Sequence, residues 1–164
     1  MDLATNLPET TTGYVHVLIV VDAFSKWVEA IPLQNRTSSE VAGAFLRHVV
    51  CRYGAPIAVR SDKGGEFQGD FDRLLWTIGS KHYEISTGHP QANGLAERMV
   101  QTIKRALKRM ASEEGSEEWT KFLPWILMGI RATVAKGTGK APYEIIFGRE
   151  MRLPSALEHF QGQG

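Results

Sequence analysis

The chain has 164 residues, of which 43% are hydrophobic and 23% are charged, and its formal net charge is +1. This length fits one domain with a single core. The sequence contains no run of about 18 apolar residues that could cross a bilayer, and residues 1–10 have neither the basic nor the apolar segment of a secretory signal. The near-neutral charge excludes a uniformly basic nucleic-acid coat, although residues 98–109 contain five basic side chains and no acidic one.

The first part of the chain predicts three strands. Met1 to Thr5 has the pattern of the end of a strand, which predicts a first strand truncated at its start. Residues 14–21 and 26–33 are two apolar, β-branched runs separated by a short turn, a pattern typical of a hairpin.

Helices and strands alternate after this hairpin. Thr37 and Glu40 have the spacing of a capping box at the start of a helix. Apolar periodicity and turn residues predict a helix over 38–53, a strand over 57–61, a helix over 70–79, a strand over 82–86 and helices over 93–112, 117–135 and 141–147. Pro124 is expected to kink or weaken its helix, and Cys51 is expected to be a buried, inert thiol. A meander followed by this alternation predicts one mixed sheet flanked by helices.

Two acidic residues occupy notable positions in this scheme. Asp62 follows the strand over 57–61, and ligands of such sheets gather at the carboxyl ends of the strands. The helix over 93–112 has an apolar face that is expected to be buried, formed by Leu95, Met99, Ile103, Ala106, Leu107 and Met110. Its opposite face carries Glu97 with Gln101, Lys104 and Lys108. Such a stripe is usually an ordinary solvated face, so its context must decide whether it is functional.

Two sequence strings supply that context. Residues 61–67 read SDKGGEF, and residues 89–98 read HPQANGLAER. They resemble the SDxGxxF and HPQxxGxxER signatures of integrases from Gypsy-type LTR retrotransposons and gammaretroviruses. The run GYVHVLIVVDAFSKWVEAIPL and the later string APYEIIFG also have counterparts there, so the resemblance extends over roughly residues 1–150.

The resemblance implies both a fold and a domain organisation. The fold is RNase H-like, an α/β architecture with a mixed five-stranded sheet flanked by helices, and its first strand is truncated in this chain. Residues 1–150 are expected to form the integrase catalytic core. Residues 151–164 are expected to be a C-terminal extension that begins a linker.

The family's catalytic acids map onto Asp2, Asp62 and Glu97. Asp22 is a second candidate for the first acid, but it sits in the turn of the hairpin, whereas the family's aspartate lies one strand earlier, at the place of Asp2. We therefore predict Asp2 as the catalytic residue and Asp22 as a turn residue. Asp62 and Glu97 are separated by 34 residues, one fewer than is usual in the family, and the missing position falls in the loop over 86–90.

The resemblance also implies a cofactor and a mechanism. Hard oxygen ligands suit Mg²⁺ or Mn²⁺, and two such ions about 4 Å apart can activate a nucleophile and stabilise the phosphoryl charge. In the family, the acid at the place of Asp2 bridges the two ions, the one at Asp62 completes one site and the one at Glu97 completes the other. His89 is expected to order its loop rather than to bind metal.

Four residues are candidates for DNA contact. Lys104 and Lys108 follow Glu97 on its helix face and could meet phosphates, although either could be a solvated lysine. Gln91 and Asn93 could hold a DNA end near the metal ions, or they could simply form a turn.

The predicted function is therefore that of a metal-dependent polynucleotidyl transferase, the core of a retroelement integrase that processes DNA 3′ ends and joins them to target DNA. Its partners would be the retroelement DNA ends, target DNA and further copies of the chain, and its site of action would be the nucleus. Two alternatives remain open: an RNase H-like nuclease, which the HPQ loop argues against, and a domesticated or degenerate copy that binds DNA or protein without catalysis.

Overall fold

The computed structural model describes residues 1–85, 90–114 and 118–154, and only the backbone of residues 90–93 and 114. Within these ranges the strands and helices follow the predicted order. No helix among the described residues is both long enough and apolar enough to cross a membrane.

The first three strands form an antiparallel ladder, as predicted. They are β1 (Asp2–Ala4), β2 (His16–Val21) and β3 (Val28–Leu33). Asp2 pairs with Ile19 across β1 and β2, and Val21 pairs with Val28 at the hairpin end of β2 and β3. Because successive side chains of a strand point to opposite faces, Leu18 and Ile19 of β2 enter different apolar clusters.

The other two strands form a separate parallel ladder. They are β4 (Ala58–Ser61) and β5 (Lys81–Glu84), with Ser61 opposite Glu84. The Met1 amino group donates to the Arg60 carbonyl at 2.6 Å, which places the start of β1 beside β4. The five predicted strands are therefore present in the described ranges, but they are hydrogen-bonded as groups of three and two rather than as one sheet. β1 has only three residues, and the Met1 hydrogen bond joins its start to β4.

The predicted helix over 38–53 is a continuous helical path with a change of pitch. It consists of α1 (Ser38–Phe45), a π-helical turn (Leu46–Val50) and α2 (Cys51–Tyr53). The predicted burial of Cys51 is wrong, because its side chain is exposed. The face buried against the core carries Val41, Ala44 and Phe45, and Cys51 lies off that face.

The remaining helices match the predicted ones with shifted ends. They are α3 (Asp70–Thr77), α4 (Pro90–Glu114), α5 (Leu123–Ala132) and α6 (Pro142–Phe147), with 3₁₀ turns at Gly65–Phe67 and Trp119–Lys121. Helix α4 begins earlier than predicted, because Pro90 is its first residue, a position that proline favours. The predicted kink at Pro124 is wrong, because this proline lies in the first turn of α5, where its nitrogen has no helical partner to lose.

Two apolar clusters cover the two faces of the antiparallel ladder. On one face, α1 and α3 contribute Phe45 and Phe71, which pack with Leu18. On the other face, α4 and α5 pack against Val17 and Ile19 of β2. The second cluster also contains Trp119, Phe122 and Ile126, whereas Trp125 remains 52% exposed. Most of the apolar side chains in the predicted helix over 117–135 therefore serve the core.

A buried ion pair joins β3 to α5. Glu29 accepts a contact from the Arg131 guanidinium at 3.0 Å, and both side chains are largely buried. The guanidinium also lies 4.2 Å from the centroid of the Trp27 ring, and the Tyr53 hydroxyl donates to Glu29. Burial lowers the pKa of Arg131, while the charge of Glu29 opposes this shift.

Candidate active site

Asp62 lies at the carboxyl end of β4, as the sequence predicts. Its side chain is partly buried, and its Oδ1 accepts a hydrogen bond from the Gly64 amide at 3.0 Å. Its backbone carbonyl accepts from the Ser61 hydroxyl at 2.8 Å. In the same motif Phe67 is 1% exposed and packs edge-on against Phe71. The SDKGGEF string thus combines a polar turn around Asp62 with an apolar anchor just after it.

Asp2 is the first paired residue of β1 and lies near the other two acids. Burial raises the pKa of its carboxyl, and the negative charges of Asp62 and Glu97 raise it further. A hydrogen bond of 2.7 Å from the Leu3 amide to Oδ1 acts in the opposite direction. The charges of Asp62 and Glu97 therefore both act on Asp2, although 94 residues of chain lie between Asp2 and Glu97.

Asp22 has a structural role in the hairpin turn. Its Oδ2 accepts hydrogen bonds from the Ser25 amide at 2.7 Å and from the Ser25 hydroxyl at 2.6 Å. The Lys26 amide donates to the Asp22 carbonyl at 3.0 Å and closes the turn. These contacts confirm the predicted turn role of Asp22 and leave Asp2 as the acid beside Asp62 and Glu97.

Glu97 is exposed on α4 and lies beside the buried face, next to the buried Ala96. Val100, Ile103 and Leu107 are the most buried large side chains of this helix, at 6%, 0% and 3% exposure. The buried face is therefore turned slightly from the predicted one, toward Val100, which was not among the predicted residues. Lys104 borders that face and is partly buried.

The charges of Asp62 and Glu97 both act on Asp2, but the three acids do not form a closed ligand set. Among the described residues, no group of three histidine, cysteine or acidic side chains has the spacing needed to hold a metal ion. A cavity of about 690 Å³ lies beside β2 and β4, and its lining includes Val21, Val59 and Arg60. That cavity contains none of the three acids.

The predicted DNA-contacting residues all belong to α4. Lys108 is exposed, which leaves its ammonium group accessible to a phosphate. Gln91 was predicted just before the helix and Asn93 at its start, and the backbone of both lies in the first turn of α4. Their side chains lie outside the described residues, as do His89 and the shortened part of the loop at 86–89.

A series of hydrogen-bonded polar side chains lies beside Asp62, and the sequence did not predict it. It runs from Asp72 in α3 through His82 in β5 to Ser61 at the end of β4. No local pattern signals this series, because its members lie 10 and 21 residues apart and meet only in the folded protein.

Comparison with known proteins identifies the class to which this fold and these acids belong. A family model described as the integrase core domain matches residues 1–90, more than half of the chain. The Gag-Pol polyprotein of feline leukemia virus is 33% identical over 149 residues, which are 90% of this chain and 8% of that polyprotein. The chain belongs to the retroviral integrase core family, which confirms the resemblance seen in its motifs.

Solved structures confirm the RNase H-like fold of integrase cores. The catalytic core domain of HTLV-2 integrase, solved in complex with magnesium in a trimeric form, superposes with a TM-score of 0.68 at 22% identity, over 88% of this chain and 93% of that one. A chain from the structure of the simian T-cell lymphotropic virus intasome in complex with the PP2A regulatory subunit B56 gamma gives a TM-score of 0.75 at 22% identity, over 93% of this chain and 55% of that one.

Proposed function

We propose that this chain is the metal-dependent polynucleotidyl transferase core of a retroelement integrase and acts in DNA 3′-end processing and strand transfer. The observation that carries the proposal is the electrostatic grouping of Asp2, Asp62 and Glu97 in a chain of the integrase core family. These acids come from a strand start, a strand end and a helix, as separate elements that converge on one place.

The donor set fits a pair of divalent cations. Carboxylate oxygens are the ligands that Mg²⁺ and Mn²⁺ prefer. The negative charges of Asp62 and Glu97 disfavour ionisation of Asp2, so a cation held among them would relieve a repulsion that the metal-free protein carries. Asp2, Asp62 and Glu97 would hold the ions, which supply charge stabilisation at the phosphate and an activated oxygen nucleophile. The magnesium bound to the HTLV-2 core supports this assignment by analogy.

The chain's own residues would orient the acids and the DNA. The Gly64 amide holds one oxygen of Asp62, and the Leu3 amide holds one oxygen of Asp2. Lys104 and Lys108 would meet phosphates along α4, while Gln91 and Asn93 would lie near the DNA end. Water would be the nucleophile in end processing, and a DNA 3′-hydroxyl would take its place in joining.

Assembly into multimers and action in the nucleus belong to the same proposal. Two DNA ends must be joined to two target strands, which requires more than one copy of the site. The trimeric HTLV-2 core and the simian intasome support multimer formation by analogy.

The decisive experiment is a strand-transfer or disintegration assay on branched DNA with Mg²⁺ or Mn²⁺. Removing a group that merely supports a metal ligand costs roughly 10- to 100-fold, so Asp62→Asn and Glu97→Gln should each cost more than that. Asp2→Asn should do the same, whereas Asp22→Asn, which keeps an acceptor for Ser25, should retain most activity. Unchanged rates in Asp62→Asn and Glu97→Gln would refute the proposed site.

The second candidate function is a domesticated or degenerate copy that binds DNA or protein without catalysis. It is favoured by the finding that, among the described residues, no three histidine, cysteine or acidic side chains are grouped so that they could hold an ion. DNA binding that is equal in all four variants, together with no turnover in the wild-type chain, would favour this second candidate.

A further inference from the structure

A continuous polar chain links helix α3 to the residue that carries the Asp62 carboxylate. Asp72 Oδ1 lies 2.6 Å from His82 Nδ1, and His82 Nε2 lies 2.9 Å from the Ser61 hydroxyl. The same hydroxyl donates to the Asp62 carbonyl at 2.8 Å. Three separate elements, α3, β5 and β4, therefore converge on one peptide group.

Two of the three side chains in this series, Ser61 and His82, are largely buried. Ser61 is 0% exposed, and the His82 side chain is 11% exposed. The edge of one ring meets the face of the other where His82 packs against Phe71, with centroids 5.6 Å apart, and Phe71 is itself fully buried. The imidazole therefore has little freedom to rotate away from its two partners.

A serine, a histidine and an aspartate in this order also suggest a hydrolytic triad, but burial argues against that function. A nucleophilic hydroxyl must reach its substrate, and the Ser61 side chain has no exposed surface. Its proton is already directed to the Asp62 carbonyl. Both facts agree instead with a structural role, in which these residues position Asp62.

The directions of the hydrogen bonds are mutually consistent when both ring nitrogens of His82 carry a proton, because a neutral imidazole has only one N–H to donate. A hydroxyl has one proton to donate, so Ser61, which donates to the Asp62 carbonyl, accepts from His82 Nε2. The Asp72 carboxylate accepts from Nδ1 at the other side of the ring. Each group in the series then has a partner, which favours a single fixed arrangement.

We propose that Asp72, His82 and Ser61 are positioning residues that fix the peptide of Asp62 and thereby orient its carboxylate in the metal site. This inference rests on the proposed function. The β4–β5 ladder ends with the Ile85 amide donating to the Ser61 carbonyl at 2.9 Å, so the ladder itself does not hold Asp62. The series of side chains extends the support of the ladder by one residue, to the point where the carboxylate must be placed.

The structure offers a matched pair of substitutions as a test. Asp70 and Asp72 both lie in the first turn of α3, and their side chains are 47% and 46% exposed. Asp70 bonds only to Arg73 among the contacts the structure gives it, whereas Asp72 bonds to His82. Asp70→Ala therefore removes an acidic side chain from the first turn of α3, as Asp72→Ala does, but leaves the contacts of Asp72, His82 and Ser61 intact. Asp72→Asn keeps an acceptor for His82 Nδ1.

The measurements are Mn²⁺ affinity, the rate of strand transfer and the exchange rate of the Gly64 amide, whose acceptor is the Asp62 carboxylate. Asp72→Ala should weaken Mn²⁺ binding and lower the rate roughly tenfold, with faster Gly64 exchange. Asp70→Ala should leave all three values near those of the wild type, and Asp72→Asn should restore most of the loss.

Equal effects of Asp72→Ala and Asp70→Ala on all three measurements would overturn the positioning role. Failure of the proposed function is a separate outcome, because the wild-type chain would then neither bind Mn²⁺ nor transfer strands. The Gly64 exchange rate would still decide the structural claim in that case. Exchange that is faster in Asp72→Ala than in Asp70→Ala would support the anchoring of the Asp62 turn, and equal exchange would refute it.

Discussion

The two ladders of the protein differ in how their faces are covered. The antiparallel ladder β1–β3 has an apolar cluster on each face, and most residues of β3 are buried. The parallel ladder β4–β5 packs against α3 on one face, and no residue of β5 is fully buried. Near it, Ile57 is 87% exposed and Trp76 is 83% exposed.

This difference determines how the candidate site is built. Asp2 begins a strand of the well-covered ladder, and Glu97 lies on α4, which packs against β1 and β2. Asp62 comes from the less covered ladder. Two acids therefore share one scaffold, and the third depends on local contacts around β4 and β5. We expect substitutions in the two regions to separate the stability of the fold from the geometry of the site.

The largest loss in the free energy of unfolding is expected from removing a buried phenylalanine in either of the two regions. Phe71 packs against His82 near β5, and Phe122 lies in the cluster under α4 and α5, with exposures of 0% and 3%. Each change to alanine should cost about 3–5 kcal/mol in the free energy of unfolding, measured by urea denaturation. At a temperature where both variants are folded, Phe71→Ala should lose more strand-transfer activity. Equal activity of the two folded variants would remove the functional difference between the regions.

A somewhat smaller loss in the free energy of unfolding is expected from breaking the buried ion pair in the well-covered region. Glu29→Gln leaves the Arg131 guanidinium without its charged partner, which should cost about 3 kcal/mol in the free energy of unfolding. The additional change Arg131→Met should restore part of that loss. Metal affinity should stay near that of the wild type, since the pair does not touch the acids. A loss below about 1 kcal/mol would show that the pair behaves like an exposed one.

The smallest change in stability is expected from substituting Asp2, where the two regions meet. The pKa of Asp2 is raised mainly by burial, so the folded state binds this proton more tightly than the unfolded state does. The ionised Asp2 carboxylate destabilises the folded state at pH values above its folded-state pKa, and this destabilisation is relieved as the pH falls through that pKa. Without metal, Asp2→Asn should therefore melt at a higher temperature than the wild type at pH 7, with a difference that shrinks in acid.

Mg²⁺ should reverse the order of these two proteins at neutral pH. Binding to the folded state raises its stability, and the wild-type chain retains the carboxylate that the variant lacks. If Mg²⁺ raised both melting temperatures equally, Asp2 would have no part in binding the ion.

The sequence predicted those features that depend on local patterns. The hairpin, the strand end at Asp62 and the turn role of Asp22 each follow from a few neighbouring residues. The start of α4 at Pro90 was missed because its polar residues also suit a turn. The π-helical turn at Leu46–Val50 and the series from Asp72 to Asp62 were missed because they depend on tertiary packing. The division into two ladders was missed because no sequence pattern reveals how β1 lies relative to β4.

The order of the three acids along the chain has a consequence for folding kinetics. The β2–β3 hairpin joins residues close in sequence and can form early, whereas the convergence of Asp2 with Asp62 and Glu97 requires long loops to close. The repulsion between these carboxylates is then felt mainly after the transition state. Neutralising Asp2 should therefore slow unfolding more than it speeds folding, so the acidic site acts on the lifetime of the native state.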